Sequence, residues 1–398
     1  MDCNEIKVPA EFSDICPFSD EVFHSEMAKL VEEPGFKHAV TYAMPNIDYD
    51  QFCQQLLKIT NKRDFQVGIM HPFLEMLEHK TTAGVSCSGI EMIDDNVPNV
   101  FITNHRDIVL DASFLNINLI RQNKPTTEVA IGNNLLIYDW ISSLVRLNRS
   151  FIVKRDMSKR QTFEAAQQLS GYIHFTLTQK KQSVWIAQRE GRCKDSNDRT
   201  QESLIKMLAL GGGRNLIQSL KEINLMPVSI SYEFDPNDYL KAKEFLLKSK
   251  DPNFKKSQRD DLFSMETGLL QYKGRVHFTF TKCINDELDK IPADIDKNEI
   301  VRHICHIIDR AIHLNYRFYP CNYISYDIVE DTDRFADKYT AQEKAEFIDY
   351  VEKQLAKVDI PVDENDIKYM RNMILTMYSN PLRNHMEAIA ELQNSIKG

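Results

Sequence analysis

The chain has 398 residues, with 49 Lys and Arg against 58 Asp and Glu and a formal net charge of −9. Hydrophobic residues make up 42% and charged residues 27%, an ordinary globular composition that excludes a disordered or fibrous chain. The acidic surplus argues against a general nucleic-acid partner, because a phosphate-backbone binder carries a basic one. No apolar run approaches the roughly 18–20 residues needed to span a bilayer. The acidic opening Met1-Asp2-Cys3-Asn4-Glu5 lacks the basic cap and apolar stretch of a secretory leader. Eight cysteines are scattered without a Cys-x-x-Cys pair, which argues against a disulfide framework or a thiolate zinc site. A soluble, intracellular protein is the expectation.

In chain order, residues 1–89 read as helices and connections. Ser19-Asp20-Glu21 has the form of a helix cap with acidic first-turn residues, followed by Val22, Phe23, Met27 and Leu30 at helical spacing. A second helix is expected over 49–59, with Phe52, Leu56, Leu57 and Ile59 on one side. The turn-rich stretch 81–89 reads as a break that closes this region. From 90 to 285, short apolar runs at 100–102, 128–131, 151–153, 183–187, 227–232 and 275–280 alternate with helical stretches at 112–123, 137–146, 160–179, 202–210 and 238–247. Such alternation predicts an α/β fold, a central and mainly parallel sheet flanked by helices. Residues 286–398 form a helical C-terminal region, with amphipathic stretches at 299–314, 341–358 and 364–377.

Three strand ends carry the residues suited to chemistry. The first is Thr103-Asn104-His105-Arg106-Asp107, then Asp111 at the start of an apolar helix. A histidine there can take a proton from a substrate hydroxyl, and a carboxylate on its other ring nitrogen would fix the tautomer. Asp111 and Asp107 are both candidates for that carboxylate; a simple helix cap beside an exposed turn histidine is the bland alternative. The second is a charge anomaly: Arg146, Arg149, Lys154, Arg155, Lys159 and Arg160 are opposed only by Asp156. Lys154 and Arg155 fall at the end of the 151–153 strand, where α/β sheets bind ligands, and the planar fork of arginine suits a phosphate. The third is Glu190-Gly191-Arg192 after the 183–187 strand. Gly191 permits close backbone approach to a ligand, and Glu190 could hold the Arg192 guanidinium in position. A base, a carboxylate and several arginines on one sheet edge are the inventory for moving an acyl group onto a hydroxyl of a phosphate-bearing acceptor.

Asn104-His105…Asp111 resembles the histidine-aspartate motif of the glycerolipid acyltransferases, the family of glycerol-3-phosphate and 1-acylglycerol-3-phosphate acyltransferases. Phe151-Ile152-Val153-Lys154-Arg155 is similar to its second block, Glu190-Gly191-Arg192 to its third, and Met226-Pro227-Val228-Ser229-Ile230 to its fourth, in the family's order. Five residues separate His105 from Asp111 where the usual motif has four. The third block lacks the residue normally found between glycine and arginine, which leaves Arg189 or Lys194 as substitutes for Arg192. The whole chain looks most like soluble Bacteroides-type members of this class. The resemblance implies that His105 is the general base, that Asp111 orients it, and that Arg155, Lys154, Glu190, Gly191 and Arg192 bind the acceptor's phosphate. It also implies direct transfer from an acyl-CoA or acyl-carrier-protein thioester, with no covalent enzyme intermediate and no cofactor. The acceptor would be glycerol-3-phosphate or a lysolipid, and the setting the cytoplasm, peripheral to the inner membrane's cytoplasmic face. Two rivals are an O-acyltransferase for an amino-acid lipid (glycine or ornithine) and a non-catalytic acyl-carrier or lipid binder.

Other signals read as structure. His303, Cys305, His306, Asp309 and His313 sit among isoleucines of a packed helix, so no metal site is expected. Gly211-Gly212-Gly213-Arg214 follows a helix and lacks the ending of a phosphate loop. The aromatic-rich 315–324 reads as a packed loop.

Overall fold

A computed structural model describes residues 6–155, 157–213, 215–292 and 294–397. The acidic start with Cys3, Asp156, Arg214 and the side chain of Lys159 lie outside the described residues. Seven strands form one sheet: β1 (Val85–Ser88), β2 (Val100–Thr103), β3 (Glu128–Gly132), β4 (Ser150–Val153), β5 (Val184–Ala187), β6 (Leu225–Tyr232) and β7 (Val276–Phe280). Their spatial order is β1-β7-β6-β2-β5-β3-β4. Strands β6, β2, β5, β3 and β4 are parallel to one another. β7 runs antiparallel to β6, and β1 runs parallel to β7, so the two reversed strands share one edge.

The apolar runs are continuous because both sheet faces are covered. Val100 and Ile102 of β2 pack with Phe151, Tyr172 and Ile173 on one side. Phe101 between them packs with Phe114, Trp185 and Phe280 on the other. In register, Ile102 lies between Ile186 of β5 and Pro227 of β6. All six apolar runs of the central segment therefore became strands, at bounds within two residues of the expected ones.

Three readings need correction. The stretch 81–89 holds strand β1, whose Val-Ser-Cys-Ser sequence carries little strand propensity but pairs along β7. In the central segment two helices were not anticipated, Leu216–Glu222 and Gln258–Leu270. The aromatic 315–324 segment is not all loop: Pro320, placed where its missing N–H costs nothing, starts the helix Pro320–Val329.

The flanking regions are helical and pack onto the sheet layer. In the N-terminal region Phe23, Met27, Leu30, Leu56 and Phe65 enclose Leu147 of the core helix Asp139–Leu147. In the C-terminal region Ile324, Phe347, Met370, Ile374 and Tyr378 enclose Ala242 and Leu246 of the core helix Asp238–Lys250. The last helix, Glu364–Lys397, runs 34 residues through Pro381. Among the described residues no helix is long and apolar enough to cross a membrane.

Candidate active site

The five parallel strands end on the same sheet edge, and the three motifs follow three of them: β2, β4 and β5. Beyond β2, Asn104 clamps the turn to β6: its Oδ1 accepts from Ile230 N at 2.7 Å and its Nδ2 donates to Ile230 O at 2.9 Å. Asp107 then caps the helix Leu110–Arg121, its Oδ1 accepting from Val109 N at 2.9 Å and Leu110 N at 2.8 Å. With the helix so started, Asp111 in its first turn folds back over the loop. Asp111 Oδ2 accepts from Arg106 N at 2.7 Å and Asp107 N at 3.1 Å, and lies 2.8 Å from His105 Nδ1.

Of the two candidate carboxylates, Asp111 is the one on the ring, and Asp107 is occupied as a cap. Asp111 is fully buried, whereas the His105 side chain keeps 12% of its surface exposed. Trp185 packs against the ring from another side in a T-shaped contact, at 5.7 Å between centroids. An imidazole that donates Nδ1–H to a carboxylate presents the lone pair of Nε2, the arrangement of a general base. Burial, and then the like charge of Asp111, push the Asp107 carboxyl above its ordinary pKa.

Beneath the loop lies a charged foundation built partly by the C-terminal region. Arg106 NH1 donates to Asp198 Oδ1 at 2.6 Å and its NH2 to Asp198 Oδ2 at 2.5 Å. Tyr316 OH also donates to Asp198 Oδ2, and His313 Nε2 lies 2.6 Å from the Asp198 carbonyl. Burial opposes ionisation of Asp198, but the Arg106 guanidinium outweighs it and holds the carboxyl below the usual range. His105 O accepts from Cys193 N at 3.1 Å, which ties the histidine turn to the loop after β5.

The second and third motifs are only partly brought together. Arg155 N donates to Asn133 Oδ1 at 2.9 Å, and Arg155 NH1 to Asn134 Oδ1 at 3.3 Å. Its guanidinium lies over Gly132 at the end of β3: a Cβ there would stand 2.9 Å from Arg155 Cζ. It continues toward the end of β5, where Nε is 3.5 Å from Glu190 Oε1. β4 is three strands from β2, about 14 Å at a spacing of roughly 4.8 Å, but the Arg155 side chain crosses much of that gap. Glu190 therefore meets Arg155 rather than holding Arg192. Gly191 adopts φ +69°, a left-handed conformation that favours glycine. Arg192 is 9% exposed and turned inward, beside Asp107 and, with the Asn237 amide in its satisfied orientation, 3.2 Å from Asn237 Oδ1. Lys154 lies on another face, paired with Asp14 and with Gln168 Oε1 at 2.9 Å, in a hollow of about 600 Å³. Arg189 NH1 donates to Cys193 Sγ at 3.6 Å, and Lys194 pairs with Glu244.

A cleft of about 590 Å³ opens beside Arg155. Asn133, Asn134, Arg155 and Glu190 line one wall, and Lys256, Ser257, Gln258 and Asp261 the other; His105 is not in this lining. The second wall begins the helix Gln258–Leu270, which sits close on the histidine loop: a Cβ at Gly268 would stand 2.0 Å from Asp107 Oδ2. Sequence reasoning missed Gly132, the two asparagines and Lys256. The Gly-Asn-Asn turn after a strand was one available signal. Another was the run 243–259, where Lys243, Lys248, Lys250, Lys255, Lys256 and Arg259 face only Glu244 and Asp251.

The histidines near the C-terminus have separate duties: His306 pairs with Glu391 at 3.2 Å and His313 supports Asp198. Among the described residues no group of three or more His, Cys, Asp or Glu is arranged to hold a metal ion.

Residues 84–231 match the protein-family model Acyltransferase. This part of the chain is similar to acyltransferase domains. The match runs from the start of β1 through Ser231 of β6 and includes His105, Asp111, Arg155, Glu190 and Arg192. It leaves out β7, the helix Gln258–Leu270 and the flanking helical regions. No curated protein matches the chain. The match supports acyl transfer in general as the chemistry of this stretch.

Proposed function

We propose that this acyltransferase-like domain moves a fatty acyl chain from an acyl-CoA or acyl-carrier-protein thioester to a hydroxyl of glycerol-3-phosphate or 1-acylglycerol-3-phosphate. The observation that carries the reading is the 2.8 Å contact between His105 Nδ1 and the buried Asp111, made on a turn that two backbone N–H groups hold in shape. Nε2 takes the acceptor's hydroxyl proton as its oxygen attacks the thioester carbonyl. A C–O bond forms, the C–S bond breaks, and the thiolate leaves with the proton returned by the imidazolium. Asp111 stabilises that imidazolium without itself becoming protonated. Arg155, backed by Glu190, holds the acceptor's phosphate, while Arg192, buried beside Asp107, supports the turn. No metal or organic cofactor takes part in these steps. A lipid product places the protein at the cytoplasmic face of the membrane, bound peripherally.

The test is release of free thiol from acyl-CoA, measured with a thiol reagent across a panel of acceptors. Release is expected only when glycerol-3-phosphate or 1-acylglycerol-3-phosphate is added. Release with an acylated glycine or ornithine alone would move the reading to the amino-acid lipids, and tight acyl-carrier binding without turnover would make the protein a binder.

A further inference from the structure

We propose that Lys256, on the connection between β6 and β7, forms with Arg155 the two-cation subsite for a phosphate monoester, in the place expected for Arg192. The ligand's identity rests on the acyl-transfer reading; the subsite itself does not.

The shortened third motif sends its arginine inward. Gly191 turns the chain at φ +69°, and Arg192 becomes buried next to Asp107 and Asn237. That leaves Arg155 as the arginine in the cleft lining, which Lys256 of the β6–β7 connection shares. A phosphate monoester carries close to two negative charges at neutral pH, so it calls for cations from both sides.

The carboxylates near Lys256 are shared with other lysines. The Lys256 ammonium lies 3.0 Å from Asp261 and 3.8 Å from Glu244, but Glu244 already bonds Lys194 and, at 2.9 Å, Lys248. Burial opposes ionisation of Glu244, and the lysines overcome it, holding the carboxyl below its usual range. One buried carboxylate thus serves three ammonium groups. Of the acids in the cleft lining, Glu190 is 63% exposed and its Oε1 is a long 3.5 Å from Arg155 Nε, whereas Asp261 is half-buried. The Arg155–Glu190 pair, exposed on its acid side, holds weakly against a divalent competitor. Room for the ligand comes from Gly132, whose missing Cβ leaves the guanidinium its place, and from the cleft's volume of about 590 Å³. The Lys256 wall lies outside residues 84–231, so this chain completes the subsite with a segment beyond the matched domain.

The phosphate could belong to the acceptor or to the nucleotide end of a coenzyme A donor, and the experiment separates them. Inorganic phosphate, against chloride at equal ionic strength, is expected to raise the melting temperature of the full chain. That effect should vanish in Lys256→Ala and Arg155→Ala and persist in Lys256→Arg. In turnover, Lys256→Ala should raise one KM by about 10–100-fold, the loss of a charge-assisted hydrogen bond, with kcat changed little. A rise in the glycerol-3-phosphate KM assigns the subsite to the acceptor; a rise in the acyl-CoA KM assigns it to the donor. Phosphate stabilisation unchanged in Lys256→Ala would overturn the subsite. Phosphate stabilisation that depends on Lys256 in a chain without acyl transfer would keep the subsite and overturn only the proposed reaction.

Discussion

His105→Ala is expected to lower acceptor-dependent thiol release by about 10²–10⁴-fold, the usual contribution of a positioned general base. The fold should survive the change. Asp111 keeps its bonds from Arg106 N and Asp107 N, so the turn and the helix start remain specified without the imidazole. The ring itself is at the surface of the core rather than within it, partly exposed and in a T-shaped contact with Trp185. A urea unfolding curve within about 1 kcal/mol of wild type, combined with the lost turnover, would separate chemistry from stability. Retained turnover would mean that some other group takes the proton.

The second large effect is on stability. Asp198→Ala should cost about 3–5 kcal/mol, the range for breaking a buried ion pair from one side. It strips the two bonds from the Arg106 guanidinium and the bond from Tyr316, and leaves a buried cation next to the histidine turn. A double variant that also replaces Arg106 with methionine should recover part of the loss, since the uncompensated charge is then gone. Urea unfolding of the two single variants and the double one completes the cycle. Equal and additive losses would show that the pair contributes nothing as a pair. The same experiment asks how far the C-terminal helices support the site, because Tyr316 and His313 reach Asp198 from that region.

Much of this architecture was legible because the central strands are buried on both faces. Runs such as Val100-Phe101-Ile102 and Val184-Trp185-Ile186 are unbroken apolar segments bounded by polar turns, a pattern that length and flanks distinguish from helix. β1 was not legible: an edge strand of serine, cysteine and valine has meaning only beside β7, which lies about 190 residues away. The helix Gln258–Leu270 hid for a related reason. Its sequence is weakly patterned and contains Gly268, a poor helix residue that is needed for close packing over Asp107.

The site divides in the same way. The histidine and its carboxylate lie within seven residues on a strand-turn-helix, so local geometry alone brought them into consideration, and capping by Asp107 decided between the two acids. The anion end depends on the tertiary path of the chain. Arg155 is useful only because Gly132 is missing a side chain one strand away, and Lys256 only because the β6–β7 connection returns across the cleft. Neighbouring motif residues diverged for a backbone reason: Lys154 and Arg155 leave β4 toward opposite sides, so one serves Asp14 and the other the cleft.

The nitrogen chemical shifts of the His105 ring measure the decisive feature without any substrate. In the neutral imidazole, Nδ1 is expected to carry the proton and Nε2 to show the shift of an unprotonated nitrogen, and Asp111→Asn should abolish that preference. A proton resident on Nε2, or tautomers equally mixed in the wild-type chain, would contradict the assignment of His105 as a base held ready by Asp111.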